Sequence, residues 1–183
     1  GTDGHGSIEV NNTGGVTTFS GGIGATNNVG SLIVTDGDTI LDSDASFKNN
    51  VDVATGQTLT NNSGATLTAG SFISAGAFTN DGTATFTGDI SAAAFFTNSG
   101  TLTLEGGNSS GIVTNTGTLN MNSDNDGGTI NNADLGTLVI QSGGITNSGT
   151  IDLSSGASGT STVDISNIEA GETAISGGTV NVT

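Results

Sequence analysis

One short phrase is written four times between Phe78 and Leu153, and it leaves the chain few ways to fold. Phe78-Thr79-Asn80-Asp81-Gly82-Thr83-Ala84-Thr85-Phe86 is followed by Phe96-Thr97-Asn98-Ser99-Gly100-Thr101-Leu102-Thr103-Leu104. Then come Val113-Thr114-Asn115-Thr116-Gly117-Thr118-Leu119-Asn120-Met121 and Ile145-Thr146-Asn147-Ser148-Gly149-Thr150-Ile151-Asp152-Leu153. The common form is apolar-Thr-Asn-x-Gly-Thr-apolar-x-apolar. Gly82, Gly100, Gly117 and Gly136 stand 18, 17 and 19 residues apart. A fixed period of this length is the signature of a solenoid.

After each glycine the second and fourth residues are apolar, and the first and third are polar or Val139. That is the period-2 pattern of a strand with one buried face. The predicted buried columns are Ala84, Leu102, Leu119, Leu138 and Ile151, and Phe86, Leu104, Met121, Ile140 and Leu153. No single repeat holds enough apolar side chains for a core. Stacked at roughly 4.8 Å per coil, like positions lie over one another and make a continuous one. The glycine ahead of the strand predicts either a turn with positive φ or a close approach of two backbones.

Asn28, Asn80, Asn98, Asn115 and Asn147 each stand two residues before a glycine, and Asn62 holds the same offset from Gly64. Stacked amides carry donors and an acceptor, so such a column can bond coil to coil. Asn is also an ordinary turn residue. Both readings make these positions structural.

The phrase extends beyond the four copies. Gly6 to Val10, Gly30 to Val34, Asn49 to Val53, Gly56 to Thr60 and Gly64 to Thr68 precede them, and Ser161 to Ile165 and Gly178 to Val182 follow. Two intervals, from Gly136 to Gly149 and on to Ser161, are only 13 and 12 residues. There either two strands are different sides of one coil, or the coil tightens. Residues 1–45 are less regular and more acidic, which fits a cap, a linker or degenerate coils. With no boundary elsewhere, residues 1–183 are expected to form a single solenoid. Lacking an initiating Met, the chain is expected to be a mature or excised piece of a longer precursor; its end inside a strand phrase is expected either to be continued by further chain or to be covered by a stacked subunit.

Composition narrows the function. The formal charge is −16, with one residue among Lys and Arg. A nucleic-acid surface needs a cationic footprint, and an anionic membrane needs a basic patch; neither is here. Nothing approaches a membrane span. With no Cys, stability has to come from stacking.

The phrases 97–104, 114–121 and 56–68 resemble β-solenoid passengers of bacterial autotransporters and large exoproteins. Phe19-Ser20-Gly21-Gly22-Ile23-Gly24 through Gly30-Ser31-Leu32 is similar to segments of rickettsial-type outer-membrane autotransporters. The resemblance implies an all-β, right-handed parallel β-helix, which the spacing sets at about 17–19 residues per coil. It also implies a secreted molecule at the bacterial cell surface with an adhesive, layer-forming or filament-forming role. No catalytic residue comes with it.

Catalytic chemistry finds little support in the residues. Glycosidases need two carboxylates across a cleft, and here no carboxylate falls in a recognisable motif and Trp and Tyr are absent. A Ser-His-Asp arrangement would have to use His5, near a terminus. Lys48 is the single side chain available for an isopeptide bond, and a surface Lys beside acidic neighbours is its simpler role. The acidic stretches Asp36, Asp38, Asp42, Asp44 and Asp124, Asp126 are closely enough spaced to be candidate calcium ligands, with solvated acidic loops as the plainer reading. Thr58/Thr60, Thr66/Thr68, Thr83/Thr85 and Thr101/Thr103 form outward pairs of the kind that bind ice on some solenoids. Thr118/Asn120, Thr137/Val139 and Thr150/Asp152 then break the lattice. The expected molecule is therefore a non-catalytic, stiff rod that self-associates into filaments or a layer. A monomeric adhesin segment engaging a host or neighbouring-cell surface is the alternative.

Overall fold

The computed structural model describes residues 4–73, 75–91, 94–132, 135–140, 145–147, 149–153, 162–164, 175–176 and 179–181. The chain enters through three long strands, β1 (Ser7–Phe19), β2 (Ser31–Leu41) and β3 (Ala45–Val53), then β4 (Thr58–Asn61) and β5 (Thr66–Phe72). Its middle is a run of four-residue strands: β6 (Ala77–Asn80), β7 (Thr83–Phe86), β8 (Phe95–Asn98), β9 (Thr101–Leu104), β10 (Ile112–Asn115), β11 (Thr118–Met121), β12 (Thr129–Asn132) and β13 (Thr137–Ile140). Shorter ones follow: β14 (Ile145–Thr146), β15 (Thr150–Asp152), β16 (Thr162–Asp164), β17 (Ile175–Ser176) and β18 (Thr179–Asn181).

All the pairings are parallel and join residues one coil apart, so the chain winds as a β-solenoid of about 7 turns with about 19 residues per turn. Strands β3, β5, β7, β9, β11, β13 and β16 stack as one side, and β4, β6, β8, β10, β12, β15 and β18 as a second. β2 is long enough to pair with both β3 and β4: Leu32–Val34 lie against Val51–Val53, in line with Phe72, and Thr39–Leu41 lie against β4 on the second side. A narrower third side runs through the bridges Phe72↔Ile90↔Asn108 and Asn125↔Asn147, with β14 paired to β17 above. Coil width varies: Ser7 pairs with Ser31, Thr101 with Thr118, and Thr137 with Thr162. Residues of the irregular 1–45 stretch therefore belong to the stack, with β1 and β2 as its first wide coils.

In the central coils the sides meet at two-residue corners, Asp81-Gly82, Ser99-Gly100 and Thr116-Gly117. A Cβ on Gly100 would collide with the carbonyl oxygen of Gly82, and one on Gly117 with that of Gly100. Close backbone approach, rather than positive φ, is what requires glycine there.

The alternation buries one residue in two. Ala84, Leu102, Leu119 and Leu138 stack in register, and so do Phe86, Leu104, Met121 and Ile140. Ile151 and Leu153 do not continue these columns. Ile151 lies on the second side, above Ile130 and below Val180, in the column that runs up through Leu59, Phe78 and Phe96. Leu153 is partly buried against the core. The short intervals have the same cause: Thr137–Ile140 and Thr162–Asp164 are on the first side, and Thr150–Asp152 is on the second.

Phe72, Phe78, Phe86 and Phe96 converge at the waist of the rod. All six ring pairs lie between 4.9 and 6.0 Å, mostly edge to face, as the quadrupoles of aromatic rings prefer. Below them Thr39 is fully buried on β2 in register with Leu59, and its Oγ1 has no hydrogen-bond partner. Thr39→Val keeps the shape and removes the unpaired hydroxyl, so it is expected to stabilise the fold by about 1–2 kcal/mol. A thermal melt checks this; a lower midpoint for the variant would contradict it.

Candidate functional site

An inward-facing asparagine must have its amide bonded, because burial without partners costs about 1–3 kcal/mol per group. Asn61, Asn80, Asn98, Asn115 and Asn132 end their strands on the second side, all fully buried. Each of the first four donates from Nδ2 to the Oδ1 of the next, at 2.8, 2.7, 2.7 and 2.7 Å. Each also donates to backbone carbonyls across the corner. Asn98 reaches the oxygens of Gly100 at 3.2 Å and Thr118 at 2.9 Å, and Asn80 reaches those of Gly82 at 3.2 Å and Thr101 at 2.9 Å. The column starts above Leu41, which is in register with Asn61, and there Asn61 Oδ1 is buried without a partner.

A second ladder occupies the corner between the third and second sides. Asn108 donates to Asn125 Oδ1 at 2.9 Å, and Asn125 to Asn147 Oδ1 at 2.7 Å. It rests on Ile90, the bridge partner of Asn108. Of the asparagines expected in one column, Asn80, Asn98 and Asn115 are together, and Asn147 is in this second ladder. Asn62 and Asn28 are in neither. Asn62 is half-buried and donates to Asp42 Oδ1 at 2.7 Å, and Asn28 Oδ1 accepts from Ser46 Oγ at 2.8 Å. Asn61, Asn132, Asn108 and Asn125 lie outside the apolar-Thr-Asn-x-Gly phrase. Their signal is an Asn three or four residues before the next strand's glycine or alanine, where a longer corner displaces the glycine.

The acidic residues are not gathered around a common centre. Asp38 Oδ1 accepts from the Thr58 amide and Asp44 Oδ1 from the Thr66 amide, both at 2.9 Å, and Asp42 accepts from Asn62. These carboxylates therefore tie one coil to the start of a strand in the next. Asp36 is half-buried on β2, Asp124 is half-buried with its carbonyl accepting from the Asn108 amide, and Asp126 is exposed. Among the described residues no three of His, Cys, Asp and Glu approach as a metal-holding group. Asp36 and Asp38 are on β2, Asp42 and Asp44 are in the corner after it, and Asp124 and Asp126 precede β12.

Outward from the first side, Thr66, Thr83, Thr101, Thr118, Thr137 and Thr162 stand in one register column. Beside it run Thr68, Thr85 and Thr103, continued by Asn120, Val139 and Asp164. Thr150 and Asp152 belong to the second side and do not interrupt this face. His5 and Lys48 are both exposed near the start of the rod, on different coils. No helix among the described residues is long and apolar enough to cross a membrane. Comparison with protein families, with curated proteins and with solved structures finds no match to this chain.

Proposed function

We propose that the chain is a non-catalytic structural protein of the bacterial cell surface, a stiff β-solenoid subunit that self-associates end to end into extracellular filaments or a layer. The observation that carries this reading is β1. Its 13 residues pair with β2 and with no other described strand. Such an edge is a template for another strand. It carries no Lys or Pro, one charge at Glu9, and an exposed Val16. The secreted, surface setting rests on the resemblance of the repeat phrases to autotransporter passengers.

A formal charge of −16 opposes association at low salt, so filaments are expected to lengthen as ionic strength rises and screening sets in. Negative-stain electron microscopy across a concentration and salt series tests this. Val16→Lys places a charge on the edge without touching the interior and is expected to abolish the filaments. Isolated rods at high concentration and high salt would overturn the filament reading and fit a monomeric adhesin segment instead.

A further inference from the structure

Beside the lower end of the threonine face is an open cleft of about 410 Å³, between the turn Gly24–Asn28 of the first wide coil and strands β3 and β5. That volume lies within the range of small-molecule sites. The turn is held over the sheet by the Ser46 Oγ to Asn28 Oδ1 hydrogen bond. The lining combines an apolar wall, Ile23 and Ala25, with the carboxylate of Asp44 and the outward hydroxyls of Thr66 and Thr68. Asp44 Oδ1 is taken by the Thr66 amide, which fixes the carboxylate and leaves Oδ2 to accept from a ligand.

No cation lines the cleft, and with one carboxylate in it and a net charge of −16 around it an anionic ligand is repelled. A polyol fits the chemistry: adjacent hydroxyls donate to Asp44 and exchange hydrogen bonds with the threonines, and the C–H face of a ring packs on Ile23 and Ala25. From the cleft the threonine columns continue upward through Thr83, Thr85, Thr101 and Thr103. They rise by about 4.8 Å per coil, on the scale of one sugar ring in an extended chain. We infer that the cleft is a binding site for a linear neutral glycan, seated on Asp44 and running along the threonine face. The inference stands on the cleft alone and does not depend on self-association.

Calorimetric titration with three neutral hexasaccharides, β-1,4-glucose, α-1,4-glucose and β-1,4-N-acetylglucosamine, tests it, with hexalysine as the competing class of ligand. At least one glycan is expected to bind saturably below about 10 mM and to be insensitive to added salt. Asp44→Asn retains an acceptor for the Thr66 amide but loses the charge-assisted bonds, so it is expected to weaken binding roughly tenfold. Thr68→Val removes one outward hydroxyl and is expected to weaken binding severalfold, both variants keeping the parent's thermal midpoint. Absence of saturable binding by all three glycans overturns the inference. So does hexalysine binding more tightly than any glycan, in a manner lost at high salt and in Asp44→Asn, which would assign the cleft to a cation.

Discussion

Asn98→Leu is expected to cost about 2–4 kcal/mol and Asn61→Leu clearly less, although both remove a buried ladder asparagine. Losing Asn98 strips Asn115 Oδ1 of its donor, takes an acceptor from Asn80, and removes the side-chain donor to the Thr118 carbonyl. Losing Asn61 likewise removes a side-chain donor to the Thr83 carbonyl and takes the donor from Asn80 Oδ1, but it breaks the ladder at its end only and eliminates Asn61 Oδ1, which is already buried and unpaired. One orphan replaces another. Leucine is tolerable at that end because Leu41 is the next residue down the same column. Denaturant unfolding of the two variants side by side makes the comparison, and equal losses would show that the ladder is not an energetic unit.

Phe86→Ala is expected to destabilise by about 3–5 kcal/mol, the usual range for emptying a buried aromatic site. For a chain of this size that lowers the thermal midpoint by roughly 6–20 °C. The ring is fully buried and contacts Phe72, Phe78 and Phe96 at 6.0, 5.5 and 5.7 Å. Those three cannot close the space without leaving their own edge-to-face arrangement. The control is Phe95→Ala. Phe95 adjoins Phe96 in sequence but points outward and is 56% exposed, so its loss is expected to stay within about 0.5 kcal/mol. Comparable losses from the two would mean that the inward and outward assignment of this side is wrong.

The coils from Phe78 to Met121 are legible in the sequence because their corners are two residues long and strand, Asn and Gly keep constant offsets. Legibility ends where the corners lengthen. Between β4 and β5 and between β12 and β13 four residues intervene, so the ladder residue is Asn61 rather than Asn62, and Asn132 is four residues ahead of Gly136. The phrase ending in Leu153 fails differently. An inward Asn followed by a glycine corner is used at two corners of the coil, and Ile145 to Leu153 is written at the second. Periodicity along a chain reports that a residue is buried, not which side buries it, so Ile151 shares the pattern of Leu138 but stands in another column. The third side supplies a single bridging residue per coil at Ile90 and Asn108, too little for any alternation to register. Asp38, Asp42 and Asp44 are neighbours in sequence, while their partners are amides a full coil away.

Each ladder amide passes its hydrogen onward in the same sense, from Asn61 to Asn132, and the corner carbonyls admit only that sense. Turning one amide round would set oxygen against oxygen at one junction and NH₂ against NH₂ at the other. The orientation chosen at one rung is thus inherited by the rest, and the aligned amides add into a permanent dipole along the axis. The two tips of the rod are chemically unlike, and a polymer built from it would have a head and a tail.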